Sequence, residues 1–219
     1  MEEFFNEIEG EQPEKKAPKA QMNWQANLLQ YLHDIVYLLA VILIAFLLLF
    51  RVVVVSGTSM NDTLMDGDYL LLLGDSFYQD PKYGDVIVAS KKTFDDGLPI
   101  VKRVIATEGQ WVDIDFDEGI VYVGENPANM KALDEPYTKT LTTNPEGYTF
   151  PLQVKDGCLF VLGDNRKNSK DSRSFEIGQI DKREVLGKVI FLFFPGTNGV
   201  DYYGNPNVPR DFGRIGVVK

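Results

Sequence analysis

Residues 35–50 read IVYLLAVILIAFLLLF, a stretch without a single charge, and Val52–Val55 resume the apolar run after Arg51. A membrane-spanning helix needs about 20 predominantly apolar residues, and residues 33–55 meet that length if the Arg51 side chain extends to the interface. A buried core helix would keep a polar face, which this stretch lacks. A cleaved signal peptide would have a short basic leader and a small-residue cleavage site, and neither is present. The stretch therefore predicts one uncleaved transmembrane helix at residues 33–55.

The residues before this helix form a polar tail. Residues 1–32 contain six glutamates ahead of the first lysine, Lys15, and few side chains that could form a core. We therefore expect the tail to be disordered as far as about Trp24. It is either a solvated leader or a docking arm. Its lysines lie far from the helix while Arg51 flanks the other end, so charge does not determine the membrane orientation.

After the helix the pattern changes to short apolar runs separated by glycine, proline and aspartate. Gly-Asp pairs such as Gly67-Asp68 and Gly84-Asp85 mark turns between the runs. The candidate strands are Tyr69–Leu73, Asp85–Ser90, Ile100–Thr107, Trp111–Asp115, Ile120–Val123, Cys158–Leu162 and Gly187–Phe194. The pattern predicts a mainly β domain over residues 56–219, an antiparallel β-barrel or sandwich. Residues 125–156 contain four prolines and are expected to be an insertion with little core of its own.

Composition excludes several classes of function. A formal net charge of −10 without a basic stripe argues against a nucleic-acid partner. The single cysteine, Cys158, excludes an internal disulfide and a Cys-cluster metal site. The single histidine, His33, lies at the start of the apolar helix, so a Ser-His-Asp or Cys-His protease would depend on that one imidazole.

Ser59 and Lys102 are candidates for nucleophilic chemistry without histidine. Ser59 follows the apolar helix in a glycine-containing turn and needs a base, which here is a carboxylate or a lysine. On a strand, Lys102 would alternate with Ile100 and Val104. If Lys102 is buried there, its pKa falls from about 10.4, and a nearby Arg103 charge would lower that pKa further. If the strand lies at an edge, both cations extend to water instead.

A third candidate is the polar loop, which we define as residues 163–173 (GDNRKNSKDSR). Such a stretch is usually a solvated loop, but its short polar side chains can also form a hydrogen-bonded network that holds a site rigid. Ser169 or Ser172 is a candidate to orient an amine. Asp171 is a candidate to form a buried ion pair with Arg166 or Arg173.

Taken in this order, these segments resemble type I signal peptidases, the membrane-anchored Ser-Lys proteases that remove signal peptides. The family has S-x-S-M-x-P-T-L or a variant after the membrane segment, then a G-D strand, K-R-V-I-G and G-D-N-R-x-N-S-x-D-S-R. The matching residues are Ser59-Met60, Thr63-Leu64, Tyr83-Gly84-Asp85-Val86, Lys102-Arg103-Val104-Ile105 and most of the polar loop. The resemblance spans residues 35–194 and implies the β fold of signal peptidases and repressor-type proteases.

The resemblance also implies roles for individual residues. Ser59 would be the nucleophile and its backbone N–H an oxyanion donor, with Lys102 as the general base. Ser169 would orient the lysine amine. The supporting network would contain Asp171, Arg103 and Arg173. One branch of the family adds a serine hydroxyl two residues before the nucleophile. Gly57 stands there in this chain, as in the Gram-positive-type branch, which leaves the second donor open.

The implied reaction is acyl transfer without a metal or organic cofactor. The implied partners are secretory preproteins, whose signal peptides would bind as an added strand with small residues at the first and third positions before the cut. The implied topology is a cytoplasmic tail with residues 56–219 outside the cell membrane, where Val52–Val55 and nearby apolar residues would contact lipid. The oligomeric state is left undetermined.

Three departures from the family pattern support an alternative function. Asp62 stands where the family has proline, Glu108 lies in a turn that differs from G-L-P-G-D, and Lys167 replaces an aspartate. The alternative is a catalytically degenerate signal-peptidase-like chaperone or pilus-assembly factor. A Ser-Lys self-cleaving repressor-type protease is a further alternative, but the chain has no DNA-binding segment. The retained Ser59 and Lys102 favour the peptidase.

Overall fold

The helix predicted from the uncharged stretch is present in the computed structural model, which describes residues 24–201 and 203–218. Helix α1 spans Trp24–Leu49. Within it, Asn27–Leu49 have a mean hydropathy of 2.6 and are long and apolar enough to cross a membrane. The expected disorder of the tail up to residue 23 lies outside the described residues.

The predicted bounds of this helix are wrong at both ends. Residues 24–32, assigned to the tail, are helical. Phe50–Val54, assigned to the membrane helix, form a β-strand. The β-branched side chains of Val52–Val55 explain the change, because they are restricted in a helix and favoured in a strand.

The rest of the chain is mainly β, as predicted. The strands are β1 (Phe50–Val54), β2 (Tyr69–Gly74), β3 (Val86–Ser90), β4 (Pro99–Thr107), β5 (Trp111–Asp115), β6 (Ile120–Gly124), β7 (Lys131–Ala132), β8 (Leu152–Gln153), β9 (Cys158–Leu162), β10 (Ile180–Asp181), β11 (Val185–Phe194) and β12 (Gly216–Val217). The five 3-10 helices in the described residues are Asp75–Phe77, Asp95–Gly97, Arg166–Asn168, Lys182–Glu184 and Phe212–Arg214. All seven predicted strands are present, with bounds shifted by at most two residues.

The strands form two antiparallel sheets. The larger sheet has the order β1-β2-β11-β3-β4-β9-β10, with β12 paired to β11, and the smaller has the order β7-β6-β5-β8. Of the two architectures predicted, the sandwich-like one is correct, because β1 and β10 end the larger sheet and do not pair to close a barrel in the described part of the chain. The chain divides between residues 44 and 45 into two compact units, so both sheets belong to the second unit.

The core explains why these segments are strands. In β2, buried Leu70 and Leu72 alternate with more exposed residues, as a half-buried strand requires. The predicted insertion, residues 125–156, supplies β7 and β8 to the edges of the smaller sheet. Its Leu133 and Phe150 pack against the cluster between the sheets.

Two strand edges bear on the site. β1 pairs only with β2 in the described sheet, so its other edge is open. β4 pairs with β3 from residue 99 to 103, whereas its pairing with β9 begins only at Arg103. Residues 99–102 of β4, the segment that ends at Lys102, therefore have one unpaired backbone edge.

Candidate active site

The turn that carries Ser59 is fixed at both ends. At its start, the Val55 N–H donates to Asp68 O at 2.9 Å, and Gly57 has a φ of +92°, a conformation that favours glycine. The Gly57 N–H donates to Asp66 Oδ1 at 2.7 Å. At its end, the Asn165 N–H of the polar loop donates to Ser59 O at 3.0 Å. Ser59 is therefore held by contacts on its own loop and from the polar loop.

Lys102 lies beside this serine. Its Nζ is 2.8 Å from Ser59 Oγ and 2.9 Å from Val101 O. The residue is only 5% exposed, so of the two alternatives for the strand the buried one is correct. The structure thus brings together the serine and the lysine that the sequence singled out, at hydrogen-bonding distance.

Burial lowers the pKa of Lys102 from 10.5 to about 8, because desolvation disfavours the charged ammonium. The negative charges of Asp171 and Asp164 act in the opposite direction and limit this fall. The expected lowering of the pKa by Arg103 is not observed. The Arg103 cation is neutralised by Asp164, since Nε and Nη2 donate to its two carboxylate oxygens at 2.8 and 2.7 Å.

The polar loop is a buried network rather than a solvated loop. Asp171 and Arg173 are fully buried, and Arg173 Nε and Nη2 each donate to Asp171 at 2.8 Å. The Asp171 carboxylate also accepts the Gly163 N–H at 3.1 Å. Of the two partners left open for Asp171, Arg173 is therefore the correct one. A buried bidentate pair of this kind fixes the loop geometrically.

Ser169 differs from its implied role. Its hydroxyl donates to Lys170 O at 3.4 Å, and the structure gives it no hydrogen bond to Lys102. Its position is nevertheless tightly constrained. A Cβ added to Gly163 would lie 2.1 Å from Ser169 Oγ and 2.5 Å from Ser59 O. Only glycine therefore fits where the polar loop meets the turn that carries Ser59.

Asp164 is the functional residue that sequence reasoning missed. It is fully buried, pairs with Arg103 and accepts a hydrogen bond from the Thr63 hydroxyl of the Ser59 turn. The sequence signal is its place in the polar loop, where the ion-pair hypothesis names only Asp171 as the acid. Asp164 connects the turn of the serine to the strand of the lysine.

None of the three departures from the family pattern replaces Ser59 or Lys102, the two residues that we call the dyad. Asp62 accepts from Lys139 at 2.6 Å, and both side chains are exposed. Glu108 accepts the Gly157 N–H at 2.7 Å, which with Lys182 lowers the pKa of its carboxyl. Lys167 is exposed at the groove.

Ser59 and Lys102 open onto a groove of about 900 Å³. Its walls include residues 53–54 at the end of β1, Val55 directly after it, and residues 99–101 of β4, and both strands have an unpaired edge there. The groove is therefore lined by Ser59 and Lys102 together with two strand segments whose backbone edges are unpaired.

A family model described as "Signal peptidase, peptidase S26" matches residues 28–194. The chain belongs to this family. It is 34% identical over 180 residues to "Probable signal peptidase I-1" of Synechocystis sp., covering 77% of this chain and 85% of that protein. It is 32% identical over 181 residues to "Signal peptidase I" of Bacillus licheniformis, covering 79% of this chain and 92% of that protein. To "Signal peptidase IB" of Staphylococcus aureus it is 35% identical over 178 residues, with coverage of 70% and 86%.

Among solved structures, the crystal structure of a signal peptidase I from Enterococcus faecalis matches with 23% identity and a TM-score of 0.33. The match covers 50% of this chain and 97% of that chain. Family membership makes this chain a serine endopeptidase of the signal peptidase type. The apolar helix α1 agrees with a membrane-anchored member of the family. The non-catalytic alternative finds no support in these comparisons.

Proposed function

We propose that this peptidase removes signal peptides from secretory preproteins with Ser59 as the nucleophile and Lys102 as the general base. The observation that carries the proposal is the 2.8 Å distance between Ser59 Oγ and the Nζ of the buried Lys102 side chain. A lysine with a pKa of about 8 is partly neutral near neutral pH, so it can accept the serine proton.

The reaction follows from this geometry. Lys102 Nζ takes the Ser59 hydroxyl proton as Oγ attacks the carbonyl carbon at the cleavage site. The Ser59 N–H stabilises the oxyanion of the tetrahedral intermediate. The Lys102 ammonium then protonates the leaving amine, which gives an acyl-enzyme and the mature N-terminus. Lys102 next deprotonates a water molecule, which hydrolyses the ester and restores Ser59.

The substrate would lie in the groove as an added strand. Residues 53–54 of β1 and 99–101 of β4 have unpaired backbone edges and line this groove. Backbone hydrogen bonds to an added strand supply affinity while the pockets between them select alternate side chains. We propose small residues at the first and third positions before the cut, as membership of the signal peptidase family implies, and in an added strand these two side chains lie on the same face.

A cleavage assay tests this function. The full-length protein in detergent is expected to cut a synthetic presecretory peptide once, after a small-x-small sequence, with the product masses identifying the bond. Changing the first residue before the cut from alanine to tyrosine should reduce kcat/KM strongly, because the added ring does not fit a shallow pocket. A peptide cut at several unrelated bonds, or cut equally well with tyrosine, would contradict the proposed specificity.

We further propose that the N-terminus is cytoplasmic and that the β domain lies outside the cell, against the lipid surface. A patch of exposed apolar side chains supports lipid contact. We call it the aromatic patch and define it as the four aromatic residues Tyr69, Phe193, Phe194 and Phe212 together with Val54. Val54 lies opposite Tyr69, and Tyr69 opposite Phe194, in the sheet. The Phe194 ring centroid is 5.7 Å from that of Tyr69 and 5.9 Å from that of Phe212. Contiguous exposed aromatic residues are typical of membrane interfaces.

Vesicle binding tests the role of the aromatic patch. A fragment that begins at Phe50 keeps β1 and should bind phospholipid vesicles without α1. Phe212 is 57% exposed, and Phe212→Ser should lower the partition coefficient by roughly fivefold or more, since apolar burial is lost. Phe175→Ser is the matched control, because Phe175 is 69% exposed but contacts Tyr148 instead. Equal binding by both variants and the parent fragment would refute lipid contact by the patch.

A further inference from the structure

Part of the predicted insertion, residues 125–156, packs directly on the polar loop. We call residues 135–142 the clamp segment. Its Thr138 hydroxyl donates to Asp164 O at 2.6 Å, and its Thr140 hydroxyl accepts the Arg166 N–H at 2.9 Å. Thr142 Oγ1 accepts from Arg166 Nη1 at 2.7 Å. Three side chains of one short segment thus bind the polar loop.

The clamp segment also carries the counter-ion of a buried arginine. Arg166 is 1% exposed, and both of its terminal nitrogens donate to Glu135. The Glu135 carboxylate accepts in turn from the Tyr137 hydroxyl at 2.8 Å. Glu135 therefore links Arg166 of the polar loop to Tyr137.

The Tyr137 ring covers another buried arginine, Arg103. The guanidinium carbon of Arg103 is 4.0 Å from the ring centroid, within the range of a cation–π interaction. Burial raises the pKa of the Tyr137 hydroxyl, so the side chain stays a neutral phenol. The other contacts of the Arg103 guanidinium are Asp164 and Gly84 O, the latter at 2.7 Å. Tyr137 thus closes a side of the guanidinium that these hydrogen bonds leave open.

Arg103 connects this contact to the dyad. It follows Lys102 directly on β4, and its partner Asp164 also accepts from the Thr63 hydroxyl in the Ser59 turn. Displacement of Arg103 would therefore move both the strand of the base and the turn of the nucleophile. It would also leave the Asp164 carboxylate without its cation, and the charge of that carboxylate raises the pKa of Lys102.

We propose that Tyr137 is a positioning residue for catalysis: its ring holds Arg103 in place and keeps water from the Asp164 pair, so that Lys102 Nζ stays within reach of Ser59 Oγ. The proposal rests on the assignment of Ser59 and Lys102 above. The ring face is the active feature, because the ring and not the hydroxyl contacts Arg103.

The test compares Tyr137→Leu with Tyr137→Phe in the full-length enzyme. Phenylalanine keeps the ring over Arg103 and should leave kcat within about twofold. Leucine loses the π face, so kcat should fall about tenfold or more while KM for the peptide changes little. The rising limb of the pH–rate profile should also shift to higher pH in Tyr137→Leu, because a displaced Arg103 neutralises Asp164 less and the Asp164 charge raises the pKa of Lys102. Tyr137→Met gives the same comparison if leucine prevents folding.

The outcomes separate this proposal from the assignment of the dyad. A lower thermal stability of Tyr137→Leu with an unchanged kcat and pH–rate limb would overturn the positioning role and leave the dyad intact. An equal loss of kcat in Tyr137→Phe would also overturn it, because the hydroxyl would then be the active group. Cleavage by Ser59→Ala would instead refute the dyad, whatever the Tyr137 variants do.

Discussion

Ser59→Ala and Lys102→Ala are each expected to abolish cleavage, with kcat/KM falling by about 10⁴-fold or more. The first change removes the only atom that forms the acyl-enzyme in the proposed reaction. The second removes the amine that lies 2.8 Å from it and accepts its proton. The measurement is the rate of peptide cleavage by full-length variants, with thermal unfolding to show that each variant is folded.

The double variant and a matched lysine control sharpen this prediction. Because the two groups act as a unit, the double variant should be little worse than either single variant. Lys91→Ala should keep full activity, since Lys91 is also partly buried but binds Gln179 O and Glu184. If Lys102→Ala retained near-normal cleavage, Lys102 would not be the base, and a carboxylate such as Asp171 would take its place.

The β domain was largely predictable because its strands alternate with clear turn residues. The helix was predictable in kind but not in its bounds. Val52–Val55 are apolar enough for a membrane helix, and only their β-branched side chains indicate the strand that they join. Of these, Val52, Val53 and Val54 lie in β1 and pair with β2, which begins only at Tyr69. Hydropathy measures the apolar character of a segment and carries no information on such pairing.

The candidate site was predictable as a set of residues but not as a set of contacts. Periodicity placed Lys102 and Arg103 on opposite faces of a strand, yet it could not decide whether either face was buried. Burial depends on the polar loop and the clamp segment, which follow β4 by many residues. The partner of Arg103 is Asp164, and no local pattern could choose it over Asp171. Long-range pairing of this kind requires the three-dimensional fold.

The pH dependence of cleavage is the second large effect that we expect. Activity should rise with pH along a limb centred near the Lys102 pKa of about 8, and fall about tenfold per pH unit below it. Lys102→Arg should be inactive throughout, because a guanidinium does not deprotonate in this range. The measurement is kcat/KM from pH 6 to 10. A limb near 10.4 would mean that Lys102 is an ordinary solvated lysine, and the proposed mechanism would fail.

The lowered pKa of Lys102 also makes the free energy of unfolding depend on pH. In the window between about 8 and the ordinary value of 10.5, the unfolded state holds a proton on Lys102 that the folded state has lost. Stability therefore rises with pH across this window. Below it, folding buries a charged amine at a cost of about 3 kcal/mol. Lys102→Met has no such charge, so it should gain stability over the parent at pH 7, and that gain should shrink toward pH 10.5. Chemical denaturation of both proteins at the two pH values measures this difference, and a gain that does not change with pH would show that Lys102 titrates alike in the folded and unfolded states.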